Sequence, residues 1–276
     1  MVYKQLEERH APRPSVTLTT LAKMKSSHEK IACMTAYDAS FATLVDQAGV
    51  DVVLVGDTLG MVVQGHDTTV PVTLDDIIYH CKAVARGLHR PLLMGDMPFM
   101  TYSSREQALV NAVRLMQEGG AKIIKLEAGV HQTGIVEFLA SHDIAVCAHL
   151  GLRPQSVHKV GGFRIQGREA EAAEKMITDA KALEAAGADI VLLEQVPATL
   201  GATIARELHV PVIGIGAGPD VDGQILVLYD ILDITPGHKP KFVRNFMKGV
   251  DSPLQGLASY VNAVKDRSYP APEHCY

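Results

Sequence analysis

The chain has 276 residues, a length that suits one large fold such as an α/β barrel of about 250 residues. Hydrophobic residues make up 47% of it and charged residues 21%, which is typical of soluble globular proteins and excludes general disorder. The net charge of −5 argues against a surface for nucleic acid or anionic membranes, and no apolar run is long enough to span a bilayer.

The N-terminus and the cysteines indicate the cellular compartment. The first residues carry two glutamates and no apolar core, unlike a secretory or transit peptide. The four cysteines lie far apart and form no CxxC pair, so we interpret them as free thiols of a reducing compartment. We therefore expect a cytoplasmic protein.

Short apolar runs alternate along the chain with longer segments of helical periodicity. The runs are continuously apolar, which is typical of strands that are buried on both faces. They predict eight strands, at Ile31–Tyr37, Asp51–Asp57, Pro91–Asp96, Ala121–Glu127, Ile144–His149, Asp189–Glu194, Val210–Gly216 and Ile225–Leu232.

Several helices between these strands carry recognisable start and stop signals. Thr73-Leu-Asp-Asp76 reads as a capping box that opens a helix to about Arg86, and Ser104-Arg-Glu-Gln107 has the same pattern. A further helix begins at about Ala170 and ends just before Gly187.

Eight strands alternating with helices favour an α/β fold of the (β/α)₈ TIM barrel type. An open, doubly wound sheet is the alternative, because periodicity does not decide whether a sheet closes. We treat residues 1–276 as one barrel domain, with an N-terminal helical segment over about 15–27 and a C-terminal helical tail over about 241–267.

One connection is unusually long. The segment from Gly151 to about Arg168 has little periodicity and contains four cations, Arg153, Lys159, Arg164 and Arg168. Long loops inside compact domains are usually functional or disordered. We interpret this one as a cover of the active site, with a mobile surface loop as the alternative.

Ionisable side chains stand at the carboxyl ends of the predicted strands. Such groups are costly in apolar runs unless they have partners, yet successive strands carry them at the same end. In barrels and open α/β sheets, this end holds the active site. The residues concerned are Asp38, Asp57, Asp96, Lys125, Glu127, His149 and Glu194.

Crowded carboxylates at one mouth indicate a bound cation or shared protons. Four of them, Asp57, Asp96, Glu127 and Glu194, come from separate strand ends, and oxygen ligands favour Mg²⁺ over zinc. Such an ion can chelate a 2-oxo acid and stabilise its enolate, while a carboxylate outside the ligand set acts as general base. The glycines of Gly214–Gly218 are compatible with either a phosphate-binding loop or a tight turn.

Many ordered motifs extend along nearly the whole length of the sequence. These are Met34–Asp38, Val55–Met61, Val63–Asp67, Asp96–Met100, Lys125–Glu127, His149–Leu152, Leu193–Pro197, Gly214–Gly218 and Pro240–Phe242. Through these motifs the sequence resembles the ketopantoate hydroxymethyltransferase family, and their number makes the resemblance highly specific.

The resemblance implies a barrel of the phosphoenolpyruvate mutase and isocitrate lyase type. It implies transfer of a one-carbon unit from 5,10-methylenetetrahydrofolate to 3-methyl-2-oxobutanoate, which gives 2-dehydropantoate and tetrahydrofolate for pantothenate and coenzyme A synthesis. It also implies a homodecamer and small-molecule substrates, with no nucleic-acid or membrane partner.

The resemblance further implies roles for individual residues. Asp57, Asp96 and Glu127 resemble the family's Mg²⁺ ligands, with Glu127 acting through water. Asp57, Thr58, Asp96 and Lys125 are similar to its oxo-acid-binding residues, and Glu194 to the base that removes the C3 proton. Position 58 is Thr where many members of the family have Ser, which preserves the hydroxyl.

Three alternatives keep the fold and change the function. A Mg-dependent C–C lyase of the same barrel superfamily, acting on a 2-oxo acid, would favour a reactive Cys or extra cations in the long loop, which has no Cys. A class I aldolase would use Lys125 as a Schiff-base nucleophile, although Glu127 on the same strand face favours a role as charge partner. A non-catalytic binding barrel has no need of so many aligned acids.

Overall fold

Eight parallel strands form the centre of the protein. A computed structural model describes residues 14–162, 164–237 and 239–276, and within them the strands close in chain order, since β1 pairs with both β2 and β8. The strands are β1 Ile31–Thr35, β2 Val52–Val55, β3 Leu92–Asp96, β4 Ile123–Glu127, β5 Val146–Gly151, β6 Ile190–Glu194, β7 Val212–Ile215 and β8 Gly223–Leu226. The barrel prediction is confirmed, and the open-sheet alternative is wrong.

Helices surround the barrel and connect its strands. Those of the described residues are α1 Leu18–Ser26, α2 Ala39–Ala48, α3 Leu59–Val62, α4 Leu74–Ala85, α5 Arg105–Gln117, α6 Thr133–Ala140, α7 Val157–Val160, α8 Ala170–Ala185, α9 Ala198–Glu207, α10 Leu228–Ile231 and α11 Pro253–Lys265. None of these helices is long and apolar enough to cross a membrane. The strands are buried on both faces, as their continuous apolar runs predicted.

The predicted eighth strand, Ile225–Leu232, is wrong after Leu226 and starts two residues late. The observed strand β8 is Gly223–Leu226. Most of the remaining apolar run forms the helix α10, Leu228–Ile231. The turn between the two elements is held by Thr35, whose hydroxyl accepts a hydrogen bond of 3.0 Å from the backbone N–H of Leu228. An apolar run that serves a strand and then a buried helix has no change of pattern to mark the boundary.

The helix start signals are confirmed at α4 and partly at α5. Thr73 and Asp76 form the reciprocal capping box, each side chain accepting from the backbone N–H of the other. Ser104 caps α5 by accepting from the N–H of Gln107, but the Gln107 side chain accepts from Ser103 instead.

The C-terminal helical tail packs against the barrel. On α11, the hydroxyl of Tyr260 reaches the backbone oxygens of Cys33 and Gln224 at 2.8 and 2.9 Å. Lys265 extends from the same helix to buried Asp51, with 2.7 Å between Nζ and Oδ2. The helix therefore braces β1 and β8, where the barrel closes. The four cysteines are free thiols, as expected.

Candidate active site

The register of the barrel brings the predicted site residues together. Asp96 on β3 is paired in register with Lys125 on β4, and Glu127 with His149 on β5. Glu194 on β6 is paired with Gly151. In a closed parallel barrel, the carboxyl ends of all strands surround one mouth, so these side chains share a site.

A cavity of about 420 Å³, which includes space open to solvent, lies at this mouth. Its lining contains Asp57, Thr58, Asp96, Lys125, His149 and Glu194, together with apolar side chains from β2, β6, β7 and β8. Glu127 is buried at the end of β4, two residues after Lys125, and does not line the cavity. The structure thus gathers the predicted oxo-acid-binding residues and the predicted base around one cavity, and Glu127 is outside its lining.

Asp96 lies at the centre of the polar groups in this cavity. Its Oδ2 accepts hydrogen bonds from Lys125 Nζ at 2.6 Å and from the backbone N–H of Asp57 at 3.1 Å. Its Oδ1 is buried and has no hydrogen-bond partner among the described residues. A buried carboxylate oxygen without a partner is costly, so a ligand at this atom would stabilise the site.

Burial and neighbouring charges shift the pKa values of the acids and of the lysine. Burial raises the pKa of Asp57 to about 7, and the charge of Asp96 adds to the effect. Burial also raises the pKa of Glu127 well above its usual value. Burial lowers the pKa of Lys125, but Asp96 and Asp57 outweigh it, and the resulting pKa lies above that of an ordinary lysine. Lys125 is therefore an ammonium group.

The predicted base faces a histidine. Nε2 of His149 lies 3.4 Å from Oε2 of Glu194 without forming a hydrogen bond of good geometry. Burial raises the pKa of Glu194 to about 7, which suits a general base at neutral pH. Burial and the charge of Lys125 lower the pKa of His149 well below its usual value, so its imidazole is neutral.

These residues have the chemistry of a magnesium site with few protein ligands. Asp57 and Asp96 present two carboxylates to the cavity, and Asp96 Oδ1 has no other partner. Within the described ranges, no three His, Cys, Asp or Glu side chains surround a common point as a metal cage would require. Mg²⁺ is usually held by one or two carboxylates, with water and substrate completing its shell, so the residues fit this ion.

Gln155 is the site residue that the sequence analysis missed. It lies in the long connection after β5, and its backbone N–H donates to Glu127 Oε1 at 3.0 Å. Its side-chain Nε2 donates to Asp57 Oδ2 at 2.9 Å. A glutamine in a loop of no periodicity carries no signal of its own, although the length of that loop indicated a functional role.

The glycine pattern after β7 serves close packing. A Cβ atom at Gly216 would lie 2.8 Å from Phe242 Cδ1, and one at Gly218 would lie 2.6 Å from the Cβ of Ala198. Both glycines also have a positive φ angle, of 62° and 85°. The space beside them is occupied by the protein, which favours the tight turn over a phosphate-binding loop.

Solved structures of other enzymes share the fold of this chain. Phosphonopyruvate hydrolase superimposes with a TM-score of 0.59 at 16% sequence identity, over 77% of this chain and 80% of that protein. 2,3-Dimethylmalate lyase, a member of the PEP mutase/isocitrate lyase superfamily, gives a TM-score of 0.57 at 17% identity, over 77% and 81% of the two chains. These likenesses confirm the barrel fold.

The sequence itself is similar to a more specific group. The 3-methyl-2-oxobutanoate hydroxymethyltransferase of Alkalilimnicola ehrlichii is 56% identical over 264 residues, which cover 96% of this chain and 95% of that protein. The protein of the same name from Ralstonia nicotianae is 54% identical and is covered to 96%, as is this chain. The profile of the ketopantoate hydroxymethyltransferase family matches residues 15–272. The chain belongs to the ketopantoate hydroxymethyltransferase family.

Proposed function

We propose that the protein transfers a hydroxymethyl group from 5,10-methylenetetrahydrofolate to 3-methyl-2-oxobutanoate and forms 2-dehydropantoate and tetrahydrofolate in pantothenate synthesis. Membership of the family supports the activity. The observation that carries the mechanism is a single cavity that contains both a perturbed carboxylate, Glu194, and the group formed by Asp57, Asp96 and Lys125. A base and a site for a polarising cation are the two requirements for removing a proton beside a carbonyl.

Asp57 and Asp96 would hold the magnesium ion directly, and Glu127 would act through water. The absence of Glu127 from the cavity lining and the unpartnered Asp96 Oδ1 support this division. When bound, Mg²⁺ acts as a Lewis acid that polarises the carbonyl of the oxo acid. A solved structure of phosphonopyruvate hydrolase contains both oxalate and Mg²⁺, which is a precedent for an organic acid and Mg²⁺ bound together in this fold.

Lys125 and Thr58 would bind the carboxylate of the oxo acid. The ammonium group of Lys125 is held by Asp96 at 2.6 Å and neutralises part of the charge of the acids. Thr58, the residue after Asp57 in the sequence, lines the same cavity and carries a hydroxyl. A cation and a hydroxyl donor suit the carboxylate of 3-methyl-2-oxobutanoate.

Glu194 would remove the C3 proton. The C3–H bond breaks, the proton passes to the carboxylate of Glu194, and the electron pair forms the C2–C3 double bond of the enolate. C3 of the enolate then bonds to the methylene carbon of the folate, which is activated as an iminium by protonation of the other folate nitrogen. Water then replaces the remaining folate nitrogen on that carbon: the carbon–nitrogen bond breaks, the oxygen of water becomes the hydroxyl of the product, and a proton of water goes to the nitrogen, which releases tetrahydrofolate. Neutral His149 beside Glu194 adds no positive charge to that of Lys125, which preserves the basicity of this carboxylate.

The decisive experiment is an assay of the purified protein with 3-methyl-2-oxobutanoate, methylenetetrahydrofolate and Mg²⁺. We expect formation of 2-dehydropantoate, loss of turnover in excess chelator and recovery when Mg²⁺ is added back. Full activity in chelator would refute the metal role, and absence of product with Mg²⁺ present would refute the proposed reaction. A C–C lyase would instead cleave the 2-oxo acid without needing the folate.

Other aspects of the proposal rest on charge and on the family resemblance. Lys159, Arg164 and Arg168 are exposed on the long loop after β5, and their charge suits the acidic glutamate tail of the folate.

We also propose a cytoplasmic homodecamer. Tyr79 on α4 and Val110 on α5 are large exposed apolar side chains of the kind that subunit contacts cover. Light scattering of the purified protein measures the assembly.

A further inference from the structure

We propose that Gln155 is a positioning residue, which holds the carboxylates of Asp57 and Glu127 in the orientation that binds the divalent cation. The inference rests on the proposed function, because it concerns the same cation site. It assigns a role to a residue of the long loop after β5 to which the proposed mechanism gives no contact with C3 of the oxo acid or with the methylene carbon of the folate. Gln155 is 5% exposed, so its contacts are shielded from solvent.

Gln155 makes four hydrogen bonds to groups around the cavity. Its backbone N–H donates to Glu127 Oε1 at 3.0 Å. Its Nε2 donates to Asp57 Oδ2 at 2.9 Å and to the backbone oxygen of Met97 at 3.0 Å, and its Oε1 accepts from the hydroxyl of Tyr102 at 2.6 Å. One residue thus uses both amide protons, its carbonyl oxygen and its backbone N–H within the site.

The orientation of the amide follows from its partners. The backbone oxygen of Met97 can only accept a hydrogen bond, so Nε2 and not Oε1 of Gln155 must face it. Oε1 then faces Tyr102, whose hydroxyl is able to donate. This orientation directs Nε2 at Asp57 and excludes the flipped amide, which would place two oxygens side by side.

The consequence for the acids is a fixed rotation of each carboxylate. Asp57 Oδ2 and Glu127 Oε1 each accept a hydrogen bond from Gln155 and are held on that side. Groups that orient metal ligands in this way typically change metal affinity or activity by about 10- to 100-fold when they are removed. The loop after β5 therefore contributes to cation binding without supplying a ligand.

Substitution separates the side-chain contacts from the backbone contact. Gln155→Met has a similar length and volume and retains the N–H that donates to Glu127, but it removes the donor to Asp57. Tyr102→Phe removes only the hydroxyl that orients the amide. Because the Tyr102 hydroxyl bonds to Gln155 and to neither acid, an effect of this variant on cation binding must pass through Gln155. Gln117→Met on α5 is the matched control, since Gln117 is exposed.

The test is a titration of each variant with Mn²⁺, with free Mn²⁺ measured by electron paramagnetic resonance and no substrate present. We expect Gln155→Met to weaken Mn²⁺ binding by about 10- to 100-fold. Tyr102→Phe should weaken it by about fivefold, the equivalent of one hydrogen bond, and Gln117→Met should match the wild type. Thermal unfolding of each variant establishes that it is folded.

Unchanged Mn²⁺ affinity in folded Gln155→Met would overturn the inference while the proposed function stands. If Gln155→Met does not fold, Tyr102→Phe decides, and wild-type affinity in that variant overturns the inference. Failure of the wild type to bind Mn²⁺ is a different result, because it removes the cation site and with it the proposed mechanism. The wild-type titration therefore distinguishes the two failures.

Discussion

Nε2 of His149 lies 3.4 Å from Oε2 of Glu194, at the carboxyl ends of the adjacent strands β5 and β6. Neither ring nitrogen of His149 has a hydrogen-bond partner among the described residues, and its pKa is lowered by burial and by Lys125. Glu194 therefore faces a neutral imidazole and not an imidazolium. An imidazolium would stabilise the ionised carboxylate and weaken it as a base, so the neutral state preserves proton-abstracting power.

Glu194→Gln should abolish proton removal and leave binding of the oxo acid largely intact. The amide occupies the same volume but has no basic oxygen of comparable strength, and general-base catalysis typically contributes about 10²- to 10⁴-fold. The measurement is the exchange of the C3 proton of 3-methyl-2-oxobutanoate in heavy water, followed by NMR with Mg²⁺ and without folate. Exchange at the wild-type rate would assign the base to another residue.

The rate of this exchange should rise with pH and reach half its maximum near pH 7. Burial raises the pKa of Glu194 to about 7, and a base is active only when ionised, so activity is lost as pH falls below that value. Asp57 has a pKa that burial raises to a similar value, so the profile is measured at saturating Mg²⁺ to keep cation binding constant. The residual rate of Glu194→Gln serves as the control and should lack the rise.

Lys125 should form no covalent adduct with the substrate. A Schiff base requires a neutral amine, but the carboxylates of Asp96 and Asp57 raise the pKa of Lys125 despite its burial, and the group stays protonated. Borohydride reduction in the presence of 3-methyl-2-oxobutanoate, followed by mass spectrometry of the peptides, measures this. A mass increase on the peptide that contains Lys125 would reinstate the aldolase alternative.

Gly151→Ala should lower both activity and stability. Gly151 has a φ of 90°, and a Cβ atom there would lie 2.2 Å from the backbone oxygen of Glu194. The strand end that carries the base must move, and we expect at least about a tenfold loss of kcat. Gly249→Ala is the control, because its φ is 78° and a Cβ atom there meets no atom within 4 Å.

Thermal unfolding and steady-state kinetics separate these effects. Gly249→Ala should show only the backbone strain of a positive φ, about 1–2 kcal/mol, with kcat unchanged. Gly151→Ala should show the same strain together with the collision and the loss of kcat. Equal kinetics in the two variants would mean that the contact between Gly151 and Glu194 has no influence on the base.

Burial and strand periodicity account for the parts of the fold that were predictable. The apolar runs of β1 to β7 were located correctly to within a few residues, since strands buried on both faces must be continuously apolar. The boundary between β8 and α10 was missed because both elements are buried there. Closure of the sheet, which pairs β1 with β8, depends on residues about 190 positions apart and leaves no local pattern.

The sequence by itself determined the alternation of strands and helices, the acids at the strand ends and the family motifs, because local pattern and residue type encode these features. Only the tertiary structure decided that Glu127 does not line the cavity, that His149 faces Glu194 and that Gln155 joins Asp57 to Glu127. Side-chain contacts between distant segments depend on barrel closure and register, and these arise only when the whole chain packs.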